Sequence, residues 1–174
     1  HMNMLMIEND STLAEFKLSI SQKYKRHRPR LLILLGNPAL LMRDEYRELW
    51  GDIPIVLCSE ENYLGPQETY TKKQAIATAD RTPLTQLADP YNMVLLYSNL
   101  YLDENIQLIC HIVPEIKKFI FIGDARQINQ TNNLDIRNKL KKTHPNVEYQ
   151  FITPQDMTTN QLLDSLYFVD PKTT

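Results

Sequence analysis

The stretch that most constrains the fold is 31–41, LLILLGNPALL. Five consecutive aliphatic residues, Leu31 to Leu35, end in Gly36-Asn37-Pro38, and a helix-compatible run follows at once. An unbroken aliphatic run of this length reads as a strand buried on both faces, as strands of parallel sheets are. Asn37 can cap the next helix, and Pro38 can occupy its first position. Strand-to-helix switches of this kind lie at the carboxyl end of parallel strands, where the N–H groups of a helix start can meet a polar ligand.

The rest of the chain repeats the design. Leu13, Phe16, Ile20 and Tyr24 recur at three- and four-residue spacing, which predicts an amphipathic helix over 10–26 with Thr12-x-x-Glu15 as capping box. After the strand at Leu31, a helix is expected over 38–49, a turn at Gly51-Asp52, and a second buried strand over 53–58 that ends in Ser59-Glu60-Glu61-Asn62. From Tyr63 to Tyr91 the periodicity fails. Gly65-Pro66, Thr82-Pro83 and Asp89-Pro90 punctuate a stretch that reads as a crossover between lobes or a functional segment. Strand character returns over 91–98. Leu102, Ile106, Ile109 and Val113 then mark a helix capped by Asp103, followed by a strand over 117–122, a helix over 132–143 and a strand over 147–152. Thr158-x-x-Gln161 opens a last helix. Alternating helices and strands predict an α/β fold, with parallel sheets flanked by helices in Rossmann-like lobes. The lobes are expected at 3–90, the second part of it crossover, and at 91–174.

Composition narrows the partners. With 174 residues and 43% hydrophobic content, the chain can bury a core, and a net charge of −2 gives no overall attraction to nucleic acid or to an anionic membrane. The basic run from Lys23 to Arg30 falls at an expected helix C-terminus, where positive charge is favourable on structural grounds. Cys58 and Cys110 form no disulfide framework and read as small hydrophobes of a strand and a helix. No run reaches membrane-span length, and no signal core opens the chain. His1-Met2 looks like a remnant of cloning.

No phosphate-binding glycine loop, nucleophile elbow, H-E-x-x-H or C-x-x-C motif occurs, and the histidines are scattered. What recurs is polar residues at strand ends. Asn37, Ser59, Glu60, Asp124 and Arg126 are therefore the candidate ligand-binding residues, with no catalytic residue, metal or cofactor expected. Each is also an ordinary cap or turn residue, and Asp124 with Arg126 stands out because a turn does not need a charged pair.

The order of these segments, from KYKRHRPR through LLILLGNPALL, IPIVLCSEENYLGP and IVPEIKKFIFIGDARQIN to MTTNQLLDSL, resembles the extracytoplasmic sensor region of Bacteroides-type two-component sensor histidine kinases. That region is similar to the substrate-binding-protein fold, two α/β lobes around a ligand cleft. The resemblance implies a periplasmic, non-catalytic sensor that binds an unknown small molecule and passes the signal to a kinase outside this chain. It further implies a fragment of a larger receptor, membrane contact only through segments outside the chain, no nucleic-acid partner, and a homodimer. Two other readings stay open: a pure dimerisation scaffold, and a receiver-type phosphoryl-transfer enzyme on a flavodoxin-like sheet with Asp124 as acceptor.

Overall fold

The aliphatic run becomes β1 (Leu32–Leu35) in the computed structural model, which describes residues 9–98, 100–167, 169, 172 and 174. The expected cloning remnant at His1-Met2 lies outside the described residues, as do 3–8 of the first expected lobe. Gly36 leaves the strand at φ +82, a backbone value that glycine adopts without strain, and its amide donates to the Cys58 carbonyl at 2.8 Å. A 3-10 turn over Asn37–Met42 and α2 (Arg43–Trp50) follow, in place of one continuous helix. Pro38 does sit in the first turn. Asn37, however, caps nothing: its side chain is buried and reaches across to the next strand.

β2 (Ile55–Ser59) lies between β1 and β5 (Met93–Tyr97), parallel to both. The register sets Leu34 beside Leu57 and Leu57 beside Leu95, on the face that packs against α1 (Asp10–Tyr24), the 3-10 turn and α2. Leu13, Leu40 and Leu57 are fully buried there, each worth about 1.5–3 kcal/mol in apolar surface removed from water. Lys17 of α1 joins Glu45 of α2 at 2.6 Å. The opposite face is uncovered: Ile33, Leu35, Val94 and Leu96 are between 56% and 75% exposed. The strands near Leu31, Ile53, Lys117 and Val147 are all parallel to their partners, as expected, but only β2 is central. β1 is an edge strand with Leu34 buried and Leu32 partly buried on one face and Ile33 and Leu35 exposed on the other, so an unbroken aliphatic run did not mean burial on both faces.

The aperiodic stretch is not a crossover between lobes. It is ordered within the first unit: β3 (Tyr63–Leu64) pairs antiparallel with β4 (Thr82–Pro83), and α3 (Gln67–Thr71) and α4 (Thr85–Ala88) surround them. Tyr70, Ile76 and Leu84 from this stretch enter the main core. Gly65 is required by close approach, since a Cβ there would lie 2.7 Å from Ile76 Cγ1.

The division between two compact units falls between Leu100 and Tyr101, so β5 belongs to the first unit. The second unit runs α5 (Leu102–Ile112), β6 (Lys118–Ile122), α6 (Gln127–Thr143), β7 (Glu148–Ile152) and α7 (Thr159–Tyr167). β6 and β7 are parallel, and their register stacks Phe121 on Phe151 with ring centres 5.4 Å apart. Ile106 of α5 packs with Ile136 and Leu140 of α6. Tyr149 donates to Asn133 Oδ1 at 2.7 Å, and burial pushes its hydroxyl up to about 12.

Helix starts differ from expectation in two places. The α1 capping box is Asn9 with Thr12, not Thr12 with Glu15, because Asn9 Oδ1 accepts the Thr12 amide at 2.9 Å and Thr12 Oγ1 accepts the Asn9 amide. Asp103 does not cap α5: it accepts from Lys139 Nζ at 2.7 Å, and the residue before the helix, Tyr101, is left-handed at φ 46. The Thr158/Gln161 box does form, with the Thr158 amide donating to Gln161 Oε1 at 2.8 Å. The chain is thus α/β, with parallel sheets and helices packed on them.

Candidate functional site

The first unit gathers polar side chains at the carboxyl ends of β1 and β2. β2 ends at Ser59, 8% exposed, whose hydroxyl donates to Asn37 Oδ1 and meets the Glu61 backbone twice, accepting its amide at 2.9 Å and contacting its carbonyl at 2.6 Å. Asn37 Nδ2 donates to the Tyr63 carbonyl and lies 3.5 Å from Glu61 Oε2. Glu61 Oε1 accepts the Tyr63 hydroxyl at 2.7 Å, and the Arg81 guanidinium lies 4.6 Å from the centre of the Tyr63 ring. The cluster therefore ties the Gly36 switch to the loop after β2. Nearby, burial pushes the Tyr70 hydroxyl up. The Gly65 amide, donating to it at 3.1 Å, pulls the other way, and the Glu61 charge reinforces the rise. Tyr70 is a neutral acceptor at every physiological pH.

The expected acid of this cluster was Glu60, and the structure substitutes Glu61. Glu60 is exposed, whereas Glu61 is 7% exposed. A period of two along extended chain turns 59, 61 and 63 to one side and 60 to the other, a signal present in Ser59-x-Glu61-x-Tyr63. Arg81, far along the chain, has no such signal.

Asp124 and Arg126 belong to the second unit, beyond the carboxyl end of β6. They do come together: Arg126 Nε donates to Asp124 Oδ2 at 2.6 Å, and Asp124 Oδ1 accepts the Arg126 amide at 2.9 Å and Asn129 Nδ2 at 2.7 Å. Burial pushes the Asp124 carboxyl up, but these donors outweigh it and hold the group below the ordinary aspartate value. Both carboxylate oxygens are engaged by Asp124's own loop. Gln155 Oε1 closes the same turn by accepting the Ala125 amide at 3.0 Å.

Cys58 and Cys110 are free and half-buried. Among the described residues, no cluster of three or more His, Cys, Asp or Glu is placed to hold a metal ion, and no helix is long and apolar enough to cross a membrane. No protein-family model and no curated protein matches the chain.

Proposed function

We propose that the chain is a non-catalytic recognition module: the periplasmic, ligand-sensing part of a two-component receptor, with lobes of the substrate-binding-protein type. The observation that carries this reading is the convergence of Asn37, Ser59 and Glu61 just beyond two adjacent parallel strands, the rim where open α/β sheets hold their ligands. These side chains are buried and bond one another, so they set the shape of the rim at which a small polar molecule would sit. The phosphoryl-acceptor alternative is less well supported, because Asp124 is engaged on both oxygens by its own loop.

The uncovered apolar face of the first sheet favours a second reading, a scaffold that pairs two copies of the chain. Thermal unfolding across a panel of sugars, amino acids and short peptides separates the two. A ligand that binds only the native state stabilises it by about 2.7 kcal/mol at a hundredfold excess over Kd. The sensor reading expects at least one compound to raise the melting temperature, with the rise reduced in Ser59→Ala. A panel without effect, together with a melting temperature that climbs with protein concentration, would replace the sensor with the scaffold.

A further inference from the structure

The geometry points to a second recognition site, independent of the strand-end cluster: an oxyanion site in which Arg43 and Arg47 hold a carboxylate or phosphate group. A shallow, open surface hollow lies beside the amino end of β2, lined by Ile53, Ile55, Tyr46, Tyr91, Arg43 and Arg47 among others. Arg43 and Arg47 stand four residues apart on α2 and so share a helix face, where two like charges oppose helix formation by a few tenths of a kcal/mol. Both guanidinium carbons nevertheless lie over the same Tyr91 ring, at 5.5 and 5.8 Å from its centre. That ring is fixed in turn, because its hydroxyl donates to Asp44 Oδ1 at 2.7 Å.

The hydrogen-bonding capacity of the pair is largely unused. Arg47 gives one bond, to the Pro90 carbonyl at 3.3 Å, and forms no ion pair among the described residues. Arg43 gives one to the Leu40 carbonyl at 3.1 Å, its other terminal nitrogen is 4.0 Å from Asp44 Oδ2, and its Nε is buried with no partner among the described residues. Each guanidinium carries five donors in a planar fork that matches the spacing of carboxylate and phosphate oxygens.

Charge and donor geometry define what fits. Asp52 at the rim and Asp44 beside Tyr91 offset the two positive charges, so net field alone does not select the ligand. Selection rests on the forked donors.

The protein contains one tryptophan, and it reports on the site: Trp50 stacks on Tyr46 of the hollow at 5.6 Å, with planes 11° apart. The test is titration of the whole chain with sodium phosphate and, separately, sodium acetate, read by Trp50 fluorescence against sodium chloride of equal ionic strength. The site predicts a saturable change with phosphate, acetate or both, absent with chloride; a response to one salt alone narrows the class to that group. In Arg47→Gln, an exposed position that leaves the fold intact, the midpoint rises at least about tenfold. Arg47→Lys, which keeps the charge and loses the fork, rises by a similar factor. A response identical to that of chloride, or one unchanged in both variants, overturns the site.

Discussion

At the scale of single residues, the polar groups at strand ends act first on one another. Asp124 illustrates the cost of losing such a contact. Its folded pKa lies below the unfolded one, so its contribution to stability is complete above the unfolded value, about 3.9, and is lost as pH falls through the depressed folded value. Acid titration of unfolding should therefore show the wild type more stable than Asp124→Asn at neutral pH, with the difference shrinking as the pH falls below about 4. A wild-type and variant difference that stays constant from pH 3 to 7 would show that ionisation of Asp124 is not what stabilises the turn. Much of this chemistry was legible in the sequence as residue type. Its partners were not: Asn37 looked like a cap, and only the three-dimensional approach of β1 and β2 turns it toward Ser59.

Among elements, strands read more clearly than helix starts. Apolar runs marked β1, β2 and β6 correctly because each concentrates apolar surface in few residues, whereas β7, EYQFI, carries a weaker apolar signal. The start of α6 escaped notice because its first buried positions are polar. Gln127 and Thr131 satisfy each other at 2.8 Å and so enter the interior without an apolar signature. The stretch after β2 was unreadable for another reason: its elements are too short to show a period, and they cohere through Tyr70, Ile76 and Leu84, which meet only in the fold. The uncovered face of the first sheet leads to a prediction at this scale. Parallel sheets are ordinarily covered on both faces, and a patch containing Leu35, 75% exposed, and Leu96, 56% exposed, favours self-association. Light scattering over a range of concentrations should show a dimer that Leu35→Lys with Leu96→Lys converts to monomer without loss of secondary structure. A monomer at every concentration would remove this face from any assembly.

For the molecule as a whole, two cores imply two thresholds. The first is built on Leu57 and its neighbours, the second on Ile106, Ile136 and Leu140. Truncating a buried Leu or Ile to Ala costs about 2–5 kcal/mol. Urea unfolding followed by residue-resolved NMR should show Leu57→Ala lowering the midpoint for residues before Leu100 and Ile136→Ala lowering it for those after, each leaving the other set nearly unchanged. Equal shifts throughout the chain for both variants would mean that the units unfold as one. The contiguity of the units also bears on synthesis. The division leaves the first unit entirely upstream of Tyr101, and within it β2 and β5 each pair with a strand already translated. Once residues through Tyr97 have left the ribosome, β1, β2 and β5 can pair with one another before the residues that follow are made. This three-stranded sheet can therefore fold vectorially, and a ribosome stalled within the second unit would display it already paired.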